Sequence, residues 1–263
     1  SGLEELRVAL LEAGEAEALD LDGLKADRRP VIAAGVAILE GLFRILGIQT
    51  LQPSPGALRE GLLYDLLGRI HQEDVRGSSV IAFGARLGVD EKQGARVLAT
   101  ATALFDQVAE PWGLEADHRD LLSWSAWLHE VGLAVSFSGF HRHGAYLLEH
   151  ADLTGFSRDE QRRIAALVRQ HRRKLRPELL REFSEELEDV LMRLLVVLRL
   201  AVALHRGHRH HEVPVPEAQV GKDRERLTLR FQEGWLEEHP LTNEDLEREC
   251  EAWTEVGLDL RVR

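Results

Sequence analysis

Apolar residues recur every three to four positions along most of this chain, the spacing of amphipathic helices. Near the start, Leu3, Leu6, Leu10 and Leu11 share one face of a helix over residues 1–13. A polar, turn-rich stretch follows. The segment "VIAAGVAILEGLFRILG" then reads as a short apolar run that turns at Gly35 and continues as a helix to Gly47. "IQTLQPSPG" reads as a short strand stopped by Pro53 and Pro55. "GALREGLLYDLLGRI" has a Leu58, Leu62, Leu66 stripe and reads as a helix. Residues 1–67 thus alternate strand-like and helix-like pieces, as at the end of an α/β domain.

From Asp74 to about Gly207 the period is helical throughout. Helices are expected near 75–87, 90–109, 117–131, 140–150, 157–171, 177–183 and 185–206. Gly88 and Gly132 supply stops, and Ser157 with Glu160 three residues on is a capping-box signal. Beyond Pro214 and Pro216 the pattern changes. "RLTLRF" alternates as a strand does, a helix is expected at about 242–255, and "LDLRVR" alternates again. The expected fold is mainly α, in three parts: the end of an α/β domain (1–67), an all-helical domain (68–211) and a small α+β domain (212–263).

Composition narrows the function. The formal net charge is −12, which argues against a general affinity for nucleic acid. Cys250 is the only cysteine, so no internal disulfide and no multi-cysteine zinc site is possible, and a cytoplasmic location is expected. The longest apolar stretch, "LLVVLRLAVAL" at 194–204, is broken by Arg199 and too short to span a bilayer. The chain starts at Ser1 and its one methionine is Met192, so it is expected to be processed or part of something longer.

Histidines and arginines carry the candidate chemistry. "LHEVGLAVSFSGFHRHGAYLLEH", residues 128–150, holds His129, His141, His143 and His150. His129-Glu130 stands where HD-type metal phosphohydrolases carry His-Asp. Such a site needs a first histidine, which falls here at Gln93, and a late aspartate, which falls at Val202. With two ligands absent, no metal and no catalytic residue is expected in this chain. A histidine packed at a helix end is the plainer reading of His129. His141 and His143 do not share a helix face. Either could enter a cavity with His129, where protonation at acid pH would add donors. Residues 158–176 carry eight Lys and Arg against Asp159 and Glu160, while 177–190 carry six acids. Two readings follow: a solvated face paired with those acids, or a track for a phosphate-rich ligand, since guanidinium matches phosphate geometry. "HRGHRHH" at 205–211 reads as a polar linker.

Taken in order, "GLKADRRPVIAAGVAILEGLFRILGI", "SPGALREGLLYDLLGR", "QEDVR", "SAWLHEVGLAVSFSGFHRHGAYLLEHADLTGFS" and "AALVRQHRRK" resemble the carboxyl-terminal half of the exopolyphosphatase / guanosine pentaphosphate phosphohydrolase family. The resemblance implies the end of a sugar-kinase/actin-like domain, then a degenerate HD-like helical domain and a small terminal domain. It implies that hydrolysis resides in amino-terminal domains absent here, with Mg²⁺ expected for the intact parent and no cofactor in this chain. Inorganic polyphosphate is then the expected ligand, bound by His129, His141, Arg142, His143, Arg169, His171, Arg172, Arg173 and Lys174. Gly35, Arg59 and Glu60 would flank an interdomain cleft. A homodimer is expected through the Leu/Val-rich helix at 190–204 and the aromatics Trp124, Trp127, Phe137 and Phe140. Three alternatives stay open: a guanosine pentaphosphate phosphohydrolase, an active HD-type metal enzyme, or a non-catalytic oligomerisation or regulatory module.

Overall fold

A computed structural model describes residues 2–15, 18–19, 21, 23–51, 75–208 and 213–263. The chain divides into two compact units, Ser1–Leu62 and Leu63–Arg263.

In the first unit, α1 is Gly2–Ala13 and α2 is Arg29–Leu46. Pro30 opens α2, where its missing N–H costs nothing. Gly47 closes it in the left-handed conformation, φ 63°. The expected turn at Gly35 does not occur: α2 runs through it without a break. Ile32, Val36, Leu39 and Phe43 keep helical spacing across the glycine and form the less exposed face. One mid-helix glycine costs about 1 kcal/mol, less than abandoning that face. Among the described residues of this unit there is no strand, and residues 48–51 are irregular. The rest of the expected strand, the helix expected over 56–70, and Arg59 and Glu60 lie outside the described residues.

The second unit is helical, with a small sheet. Its helices are α3 (Val75–Arg86), α4 (Glu91–Trp112), α5 (Ala116–Trp127), α6 (Phe140–His150), α7 (Arg158–Gln170) and α8 (Glu185–Leu204). The caps follow local chemistry. The Asp90 carboxylate accepts from the N–H groups of Lys92 and Gln93 at the start of α4, and Ser157 and Glu160 form the capping box of α7. α5 stops at Trp127, before the expected boundary. Gly132 lies in a 3₁₀ turn, Val131–Ala134, and is no helix stop. It is needed for close approach instead: a Cβ there would meet Phe140 O at 2.0 Å and Gly144 N at 2.4 Å. The expected helix at 177–183 is only a 3₁₀ turn, Pro177–Leu179.

Strand β1 (Glu217–Val220) pairs antiparallel with β2 (Arg226–Arg230). β2 pairs parallel with β3 (Asp259–Val262) after the crossing helices α9 (Trp235–Glu238) and α10 (Pro240–Thr254). Leu227, Leu229, Leu246, Trp253 and Leu260 join the same core as the α4 and α8 side chains. Trp124, Phe140 and most apolar residues of α8 are buried in the unit, and Trp127 is half-buried. Those residues therefore serve the chain's own core, and of the four aromatics only Phe137 is left exposed.

Candidate functional site

His129 and Glu130 lie in the turn after α5. His129 is 1% exposed and its Nδ1 is 2.7 Å from Ala126 O. His171, directly after α7, is 2% exposed with Nδ1 2.6 Å from Val168 O. A carbonyl only accepts, so both Nδ1 atoms donate and both Nε2 atoms carry lone pairs. Those Nε2 atoms are buried without a hydrogen-bond partner. The rings meet edge to face, with centroids 5.5 Å apart. Burial lowers the pKa of both, that of His171 well below the ordinary value, so both are neutral near pH 7. His129 therefore takes up a proton only below the ordinary imidazole range.

The two positions that lack ligands have structural partners. Gln93 is buried, donates from Nε2 to His205 O at 2.8 Å, and accepts from Arg96 at 2.8 Å. Val202 packs against the core. Glu130 accepts from His208 at 3.0 Å. Among the described residues no three His, Cys, Asp or Glu side chains are grouped to hold a metal ion.

Beside the buried histidines a cleft of about 400 Å³ opens between the start of α6 and the end of α7. It brings together six of the residues expected from the sequence: His141, Arg142, Arg169, Arg172, Arg173 and Lys174. Arg176, Gln170, Ser138 and Gly139 complete its charged and polar wall, and among the described residues no carboxylate lines it. His143 is two residues from His141 on α6 and does not line the cleft. Nor do His129 and His171, which are buried. Gly35 belongs to the first unit, midway along α2.

Local structure presents these cations. α7 ends at Gln170, and Arg173 takes a left-handed φ of 68°. Buried Arg199 holds this bend in place. It donates to Gln170 O at 2.7 Å and Arg173 O at 2.9 Å, and makes a two-pronged pair with Glu249 of α10 at 2.6 and 2.8 Å. The sequence signal for it was visible: a lone arginine inside an apolar helix must be paired if buried. Gln170 Oε1 accepts from Arg176 N at 3.0 Å, and Leu175 and Leu180 anchor the segment in the core. Across the cleft, α6 starts at Gly139 with no side-chain cap. Its positive end therefore faces the same space, as at many anion sites.

The electrostatics are unbalanced. None of Arg142, Arg169, Arg172, Arg173, Lys174 and Arg176 makes a salt bridge among the described residues. Of the acids at 178–189, Glu182 pairs with Arg162 and Asp189 with Arg193, both outside the cleft. Burial and then the neighbouring Arg173 and Arg206 push the Arg172 pKa down. Burial, then Arg172, Arg142, Arg173 and Arg169, lower that of His141 to about 4. Cations at this density without counter-charge suit a ligand with several negative groups.

Residues 75–250 match the family described as Ppx/GppA phosphatase, domain III, and residues 1–70 match the Ppx/GppA phosphatase family. A curated relative, the guanosine-5'-triphosphate,3'-diphosphate pyrophosphatase of Pseudoalteromonas translucida (strain TAC 125), is 36% identical over 249 residues. The alignment covers 93% of this chain and 49% of the relative, so the chain spans about half the length of the curated relative it matches.

Proposed function

This chain belongs to the Ppx/GppA phosphatase family, and we propose that its α6–α7 cleft binds the phosphate chain of inorganic polyphosphate. In this reading the protein's phosphoanhydride hydrolysis is carried by residues beyond this chain, which is inactive alone. The observation that carries it is the set of six cations that, among the described residues, share the cleft with no carboxylate and make no salt bridge. A polyphosphate presents one or more charges per phosphate along a flexible chain, so several guanidinium contacts can form at once. The cleft does not fit Mg²⁺, which takes oxygen ligands such as carboxylates, because cations line it. A homodimer belongs to the same reading and is tested by light scattering.

A second reading is favoured by the name of the 36% identical relative, a guanosine-5'-triphosphate,3'-diphosphate pyrophosphatase. There the cleft would hold the phosphates of a nucleotide.

The test measures binding of long-chain polyphosphate to the wild type and to the double variant Arg172→Glu/Arg173→Glu across a salt series. Both side chains line the cleft, and neither makes a salt bridge among the described residues. Counterion release makes affinity fall steeply with salt. Each lost charge-assisted contact should cost about 1.5–3 kcal/mol where desolvated and less where exposed, so the double variant should bind at least about tenfold more weakly. Equal affinities, or affinity independent of salt, would reduce the stretch to a solvated face.

A further inference from the structure

The loop that leads into α6 has a feature that phosphate binding does not use. Phe137 is 79% exposed, and Leu133 and Val135 before it are exposed as well. Exposing a whole phenyl ring forfeits the burial that normally holds an aromatic side chain. The loop is nevertheless ordered by its own hydrogen bonds. Val135 N donates to Gly132 O at 3.0 Å and Ser138 N to Ser136 Oγ at 3.2 Å. The next two residues, Ser138 and Gly139, line the basic cleft. The Phe137 ring stands 6.3 Å from that of Phe140, which carries the Arg172 guanidinium 4.5 Å above it. Phe137 thus stands one residue before the cleft wall, and the buried Phe140 ring lies between it and Arg172, one of the arginines that line the cleft.

Three side chains fall far short of the roughly 1,000 Å² expected of a stable protein interface. A single phenyl face does match one planar heterocycle. Flat aromatic surface beside a cationic groove is the combination that holds nucleotides, because every base has a stacking face and a phosphate tail. We propose that Phe137 stacks on the nucleobase of a nucleoside polyphosphate whose phosphates occupy the α6–α7 cleft. It thereby sets the preference between nucleotides and bare phosphate chains. The proposal rests on the reading of the cleft as a phosphate site.

The experiment compares guanosine 5'-tetraphosphate with inorganic tetraphosphate, binding each to the full 263-residue chain and to Phe137→Ala and Phe137→Trp. Base stacking on an exposed ring is expected to favour the nucleotide by about five- to twentyfold. Phe137→Ala should remove that advantage and leave inorganic tetraphosphate unchanged, while Phe137→Trp should keep or raise it. If both ligands bind equally and Phe137→Ala changes neither, the stacking role is overturned and the phosphate site stands. If neither ligand binds, the phosphate reading fails and takes the proposal with it. If Phe137→Ala only turns a self-associated chain into a monomer by light scattering, the ring is a contact between copies and the proposal is again overturned.

Discussion

Arg199→Met tests how the fold carries the cleft. Arg199 is 3% exposed and gives two hydrogen bonds to Glu249, one to Gln170 O and one to Arg173 O. Methionine fills much of the volume but donates nothing. The Glu249 carboxylate, itself buried, is left without its cation, and removing one partner of a buried pair costs about 3–5 kcal/mol. The two carbonyls lose donors at about 1 kcal/mol each where water does not replace them. A total loss of about 5–7 kcal/mol is expected, a large fraction of the 5–15 kcal/mol typical of a folded protein. Urea unfolding should show a lower midpoint with an unchanged slope. In Arg199→Met/Glu249→Leu the stranded charge is gone, and all but about 1–2 kcal/mol should return. The same double variant should still bind polyphosphate more weakly, because the bend at residues 171–174 has lost both of its Arg199 bonds. A loss below about 1 kcal/mol in the single variant, or no recovery in the double, would refute the account of Arg199 as a buried keystone.

Acid should destabilise the chain. Folding lowers the pKa of His129, His171 and His141, so below about 6.5 the unfolded chain takes up protons first. The stability present above that pH is lost as pH falls toward the folded values, and melting temperatures measured from pH 7.5 to 5 should drop; a flat profile would contradict buried neutral imidazoles. Gly132→Ala should cost about 3 kcal/mol, near the top of the usual range for overpacking, because the new methyl meets backbone atoms of Phe140 and Gly144 that cannot rotate away. Gly35→Ala, with nothing within 4 Å, should instead raise helix stability by about 0.5–1 kcal/mol. Paired melts of these two variants check both expectations.

The helices were legible because their apolar period is regular, and the caps at Asp90, Ser157 and Gly47 rest on local chemistry. Gly35 was misjudged because a glycine signals a turn only where the backbone needs one, and Ile32, Val36 and Phe43 already fixed a helix. Gly132 misled in the opposite way. Its demand comes from Phe140 and Gly144, which reach it only after the 3₁₀ turn brings α6 back against it. The parallel pairing of β2 with β3 joins residues such as Leu227 and Leu260 across two helices, and no local signal carries it. In the site, the arginines were legible as a run. The neutrality of His129 and His171 was not, because it depends on burial beside a partner far along the chain. Arg199 was seen only as a break in an apolar stretch, although that break marked the residue that shapes the cleft.

The balance of charge explains why the histidines and the arginines part company. A metal site would use the Nε2 lone pairs of His129 and His171 together with carboxylates. Gln93 and Val202, the residues at which the sequence pattern aligns two such ligands, are held by His205 O and by the core, and Glu130 is engaged by His208. The imidazoles are left as packing groups, neutral and shielded. Positive charge gathers in the cleft beside them, in a chain whose net charge is −12. Nothing in folding alone rewards that arrangement. Burial, and after it the neighbouring Arg173 and Arg206, lower the Arg172 pKa, Arg173 holds a backbone angle worth about 1 kcal/mol of strain, and a buried ion pair holds the bend. Features that cost stability and persist together around one cleft point to a ligand. The polyanion proposed for this cleft would pair the arginines and damp their mutual repulsion.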